Sequence, residues 1–179
     1  VTLHHFTNPL WWEDMGAFED EANILYWIRF CSKMFEVLSD RVEWWCTINE
    51  PAVYASMGYV LGEFPPGERS FKKTRQVSLN LMRAHARCYR TLKSMEHGGT
   101  RKIGLVKNIN LFDPYRRWNP LHRFQAKLLD GMFNRCWIDG LKTGRFKAPS
   151  AMRSVSIDGL KGSSDFIGVN YYTHLLATP

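Results

Sequence analysis

Short aromatic or β-branched runs alternate along this chain with longer stretches whose apolar positions return every three or four residues. Val1 to Phe6 reads as a short strand, and Thr7 to Gly16 as a loop carrying Trp11 and Trp12. Glu19, Asp20 and Glu21 suit a helix start, where free backbone amides favour negative charge. Ile24, Ile28, Cys31, Phe35 and Leu38 then make one apolar helix face. Val42 to Asn49 is the second predicted strand. Pro51 to Gly67 holds Gly58, Gly62, Pro65 and Pro66, and reads as a short helix or turn followed by an irregular loop.

A long helix is predicted over Val77 to Met95, with Val77, Leu81, His85, Cys88, Leu92 and Met95 on one face and Gly98-Gly99 after its end. Ile103 to Val106 is a compact third strand, and Leu111 to Asn119 a loop. A helix follows Pro120, with Phe124, Leu128, Met132 and Trp137 on its inner side. Asp139 to Ser164 is glycine-rich with little periodicity, and Asp165 to Tyr172 is the last strand. Strands and helices alternate at intervals that allow right-handed crossovers, so the pattern predicts an α/β fold: a parallel sheet with helices packed outside. Sites in such folds lie at the C-terminal ends of the strands, where His5, Glu50, Asn108 and Tyr172 fall. The 179 residues are read as one domain, 1–179. Four strands do not close an eight-stranded barrel, which usually takes about 250 residues.

Composition changes this picture little. Hydrophobic content of 45% and charged content of 23% belong to an ordinary folded chain. The net charge is +7, but the basic residues are scattered in short runs such as Lys72-Lys73 and Arg116-Arg117, so no specific nucleic-acid partner is expected. No apolar run is long enough to span a membrane. Cys31, Cys46, Cys88 and Cys136 form no CxxC pair and lie in apolar segments, which favours free buried thiols and a cytoplasmic or other reducing compartment. The chain has no initiator methionine and begins inside a predicted strand, as a fragment or processed product would.

The chemistry concentrates in Trp44-Trp45-Cys46-Thr47-Ile48-Asn49-Glu50-Pro51. Pro51 stops the strand, which leaves Glu50 at its end beside large rings where water is partly excluded, a setting that suits a general acid. No glutamate occurs after Glu96. Asp165 opens a strand and sits at the wrong end for this site, while Asp113, Asp139 and Asp158 fall in loop, helix-end or turn contexts. His4 and His5 are adjacent on a strand and point to opposite faces, which argues against a metal pair. His85, on a helix's apolar face, reads as a satisfied core histidine.

These motifs, in order, resemble glycoside hydrolase family 1, the retaining family that includes β-glucosidases, phospho-β-glucosidases and lactase-like enzymes. Thr2-Leu3-His4-His5-Phe6 is similar to its third barrel strand, Val42 through Pro51 to the fourth, Lys102-Ile103-Gly104 to the fifth and Asp165 through Tyr172 to the sixth. Gly58-Tyr59 and Pro65-Pro66-Gly67 resemble the loop after the fourth strand. The stretch between Trp137 and Gly162 is shorter than the family's usual connection. The resemblance implies a partial (β/α)8 TIM barrel of about four parallel strands with outer helices. It implies Glu50 as general acid/base, Asn49 on a sugar 2-hydroxyl, His5 and Asn170 in the sugar site, and Tyr172 as the tyrosine that meets the family's nucleophile. That nucleophile is a glutamate in a Thr-Glu-Asn-Gly motif, and no such motif occurs here. The implied substrate is a β-linked glucoside or related small glycoside, hydrolysed by double displacement without cofactor or metal. The chain alone is therefore expected to be inactive and, with open sheet edges, to self-associate. The alternative is a non-catalytic carbohydrate-binding or protein-interaction remnant of a glycosidase.

Overall fold

The computed structural model describes residues 1–178. Its main sheet has four parallel strands in the spatial order β1 (Thr2–His4), β2 (Trp44–Asn49), β3 (Lys102–Pro114) and β6 (Phe166–Ala177). Neighbours in sequence are neighbours in space, as in an arc cut from a parallel barrel. The connections carry α1 (Leu10–Asp14), α2 (Ile24–Leu38), α3 (Pro51–Ser56), α4 (Phe71–Ser94), α5 (Pro120–Asp130) and α6 (Cys136–Thr143). A separate two-stranded antiparallel hairpin, β4 (Arg145–Phe146) with β5 (Val155–Ser156), lies between α6 and β6.

The apolar face of α2 is the predicted one: Ile24, Cys31 and Phe35 are fully buried, joined by Trp27, while Ile28 and Leu38 pack at its margin. The helix is preceded by two 3-10 turns, and the Asp20 carboxylate accepts from the Ala22 amide at 2.9 Å. Helix α4 starts six residues earlier than its apolar face suggests, because the Ser70 hydroxyl accepts from the Lys73 amide and caps it. On the helix side of the sheet, Trp45 packs on Phe35 with ring centres 4.8 Å apart, and the Thr47 hydroxyl meets His85 Nδ1 at 2.7 Å. Asn80 of α4 donates to the Phe18 carbonyl at 2.9 Å, so the core under α2 and α4 is tied as well as packed.

Four expectations need correction. Thr7 to Gly16 contains the helical turn α1. Leu111 to Pro114 continues β3, because β6 runs on to Ala177 and supplies a ladder partner for each residue from Leu111 to Pro114. Phe124 and Leu128 face solvent, Phe124 being 61% exposed, whereas α5 buries His122 and Ala126. The Pro120 start, capped by the Asn119 side chain, sets the helix phase so that a different stripe faces the sheet. The weakly periodic region after Asp139 holds the end of α6 and the β4–β5 hairpin. All four cysteines are free thiols; Cys31 and Cys88 are buried, and Cys46 and Cys136 only partly so.

Candidate active site

The site forms where β2 departs from regular pairing. Cys46 pairs with Gly104 and Asn49 with Val106, so three steps along β2 match two along β3. This bulge changes the face on which the next side chains lie, since a one-residue slip moves them across a sheet. Thr47 faces α4, and strict alternation would send Asn49 after it. Instead Asn49 meets His5 of the β1 end and Asn170 of β6.

Glu50 then takes a left-handed conformation, with φ 46° and ψ 59°. Such a backbone is uncommon for a residue with a side chain, and it is held here at both ends. The Glu50 amide donates to the Val106 carbonyl at 2.8 Å, and its own carbonyl accepts from Val53 and Tyr54 as α3 begins. Pro51 starts that helix at the position where a missing N–H costs nothing.

The result is a connected chain of polar groups. Asn170 Nδ2 donates to Glu50 Oε1 at 2.6 Å and to Asn49 Oδ1 at 3.3 Å. Asn49 Nδ2 lies 3.4 Å from His5 Nε2. Glu50 is only 4% exposed, whereas His5 and Tyr172 are open to solvent. The nearby Glu50 carboxylate raises the Tyr172 hydroxyl's pKa, with burial a lesser cause. Asn108 is in register with Asn170, and its buried Oδ1 has no partner. The four expected substrate-binding residues thus converge on Glu50. Among the described residues, no other carboxylate hydrogen-bonds to Glu50, Asn49, Asn170 or His5.

His4 and His5 part company as expected. The His4 ring packs edge-on against Phe18 and Tyr54, and its Nε2 meets Asn8 Oδ1 at 3.0 Å. Burial pushes its pKa down to about 4, so at neutral pH it is an uncharged packing group. Among the described residues no cluster of three His, Cys, Asp or Glu could hold a metal ion, and no helix is long and apolar enough to cross a membrane. Trp44 is not a site residue: it lies at the opposite end of β2, against Phe166. Trp11 and Trp12 line a groove of about 400 Å³ beside His5. Asp165 sits at the far end of the sheet, bonded to the Ile103 amide and Lys93.

Two residues escaped the sequence reading. Asn8 joins His4, Glu13 and Tyr54 beneath the β1 end, and nothing in its loop setting distinguishes it. Lys107 is buried on β3, and here a signal existed: it continues the period-two face of Ile103 and Leu105.

The model of the glycosyl hydrolase family 1 domain matches residues 1–178. The chain belongs to glycosyl hydrolase family 1. Family 1 relatives include a 6-phospho-beta-galactosidase of Lacticaseibacillus casei, 32% identical over 194 residues, covering 96% of this chain and 40% of the relative. A 6-phospho-beta-galactosidase of Clostridium acetobutylicum is 34% identical, with 97% and 40% covered. Among solved structures, a beta-glycosidase from Pyrococcus horikoshii superposes with a TM-score of 0.87 at 38% identity, covering 97% of this chain and 38% of that one. A Thermotoga maritima beta-glucosidase in complex with glucoimidazole superposes with a TM-score of 0.85 at 26% identity, with 98% and 42% covered. The chain therefore spans about 40% of the length of these relatives, and its four strands are a partial family 1 (β/α)8 barrel.

Proposed function

We propose that this chain carries the acid/base half of a retaining β-glycosidase site, with Glu50 as the proton donor and acceptor. The observation that supports this most directly is the buried Glu50 carboxyl gripped by Asn170 at 2.6 Å. One oxygen is fixed by that amide, so the carboxyl has a set orientation toward the inner face of the sheet. In the first step Glu50 would protonate the departing glycosidic oxygen, and in the second it would take a proton from water. Asn49 would donate to the sugar's 2-hydroxyl, where a contact strengthens as charge develops at the ring. His5, at the open end of this polar network, would hold a second hydroxyl, and Tyr172 would meet the nucleophilic carboxylate that completes the site. The substrate is a β-linked glucoside or a related small glycoside, as the names of the relatives suggest.

Retention needs a second carboxylate about 5 to 5.5 Å away. No such partner joins the Glu50 network among the described residues. The 179-residue polypeptide should therefore give no measurable aryl β-glucoside hydrolysis. A chimera in which it replaces the matching segment of the Pyrococcus horikoshii enzyme should hydrolyse such substrates. In that chimera Glu50→Ala should lose roughly 10²- to 10⁴-fold on glycosides with poor leaving groups. On an activated aryl glycoside, whose aglycone departs without an acid, added azide should replace water in the second step, restore turnover and yield a β-glycosyl azide. An active Glu50→Ala chimera would remove Glu50 from the role. Glucoside binding without turnover in an otherwise sound chimera would favour a carbohydrate-binding remnant.

A further inference from the structure

Lys107 is the most unusual buried group outside the residues just assigned. It is 1% exposed, on the helix-side face of β3, with its ammonium 4.2 Å from the centre of the Phe133 ring. Its Nζ donates to the Asn108 carbonyl. Its two neighbours along β3 are the points from which the candidate site hangs. The Val106 carbonyl receives the Glu50 amide at 2.8 Å, and Asn108 is in register with Asn170, which grips the Glu50 carboxyl. A buried cation costs several kcal/mol unless it is paired, so its retention behind the site calls for a role.

We propose that Lys107 is a positioning residue: its ammonium pins the Asn108 carbonyl from the back of β3 and so holds Asn170 against Glu50. This rests on Asn170 and Glu50 forming the working site, though it can be tested without turnover. The groups around it fit the task. Burial pushes its pKa down to about 8, and the Glu50 carboxylate at the end of β2 pulls it partway back up. Cys136 on α6 is itself pushed up to about 12 by burial and remains a neutral thiol at pH 8. From the wide turn Gly131–Arg135, Phe133 presents its ring face to the ammonium, Asn134 bonds to the β3 backbone at Asn110, and Arg135 turns away to pair with Asp130. From α4, His85 is neutral and bonded to Thr47. The ammonium therefore loses its proton within an accessible pH range. The neutral amine that remains is a weaker donor to the Asn108 carbonyl.

The test is the side-chain ¹³Cγ resonance of Asn170, which carries no exchangeable proton, followed from pH 6 to 10 by magic-angle-spinning NMR of the 179-residue chain labelled with ¹³C-asparagine, so that association of the chain does not hide it. The wild type should show a step centred near pH 8 as Asn170 loosens. Lys107→Arg, which keeps its charge throughout, should abolish that step and hold the low-pH position. Lys107→Met should show the high-pH position at every pH, with near-ultraviolet dichroism confirming a packed core. A wild-type signal that does not move near pH 8 would overturn the proposal, as would an unchanged step in Lys107→Arg. An active Glu50→Ala chimera alongside an intact Asn170 step would refute the assignment of Glu50 and leave the role of Lys107 standing.

Discussion

The two sides of the sheet are built on opposite terms. β2 and the first half of β3 lie under α2 and α4, and Trp45, Ile103 and Leu105 are lost to solvent there. β6 has the longest ladder in the molecule, pairing with β3 over ten registered residues, yet Val169 is 62% and Tyr171 56% exposed. The difference separates two things that a strand needs. Backbone pairing fixes register, but the net gain per hydrogen bond is small because water offers the same bonds. Burial under helices supplies the stabilisation. The candidate site straddles this divide. Glu50 and Asn49 come from the packed side, whereas Asn170 and Tyr172 come from the thinly covered strand.

The sharpest way to break this comparison is a truncation on each side. Trp45→Ala removes a fully buried ring packed at a tilt against Phe35. It should cost about 3–5 kcal/mol, the usual penalty for emptying an aromatic core site. Tyr171→Ala, on the bare strand, should cost less than about 0.5 kcal/mol. Urea unfolding followed by tryptophan fluorescence and far-ultraviolet dichroism would measure both. Equal losses would mean that β6 carries burial in solution that this fold does not give it.

The packed side is also the side that the sequence describes best. The stripe from Ile24 to Leu38 and the strand ending at Asn49 announce themselves by period, because burial against another layer is what creates a period. The second half of β3 does not. Asn108, Asn110, Asp113 and Pro114 are poor strand formers, and they stay extended because β6 and the Asn134 side chain hold them. The site was legible in its residues and illegible in its geometry. Asn49-Glu50-Pro51 marks a strand end and an acid. The bulge that turns Asn49 inward and the left-handed backbone at Glu50 have no residue signature, since neither requires glycine here. Lys107 is hidden for the opposite reason: its place on the buried face is plain from Ile103 and Leu105, but lysine is rarely a core residue.

Acid should unfold the packed side through two histidines. His4 and His85 are buried on the helix side, and burial lowers both pKa values to about 4 from an ordinary 6.5. The folded state thus binds fewer protons than the unfolded one between those values. Stability therefore rises with pH from about 4 to 6.5 and falls on acidification through that window. Each histidine should cost on the order of 3 kcal/mol at pH 4 relative to neutral pH. The check is the urea midpoint as a function of pH. His85→Gln should flatten the slope between pH 4 and 6.5 by about half. An unchanged slope would show that His85 is charged or solvated in the folded chain.

The smallest effect on stability should come from the bare strand, and it separates packing from association. Ile167, Val169 and Tyr171 alternate along β6 on one face, and α5 adds the exposed Leu121, Phe124 and Leu128. An apolar surface of this kind beside an unpaired parallel edge favours contact between copies. The 179-residue polypeptide should sediment as a concentration-dependent assembly. Val169→Lys with Tyr171→Lys adds two charges to that face without touching the core. Stability against urea, measured at high dilution, should change by less than about 0.5 kcal/mol, while the sedimentation coefficient should fall toward that of a monomer. If the double variant unfolds easily instead, these side chains are buried in the working molecule. The contrast between the two sides would then describe two halves of one continuous core.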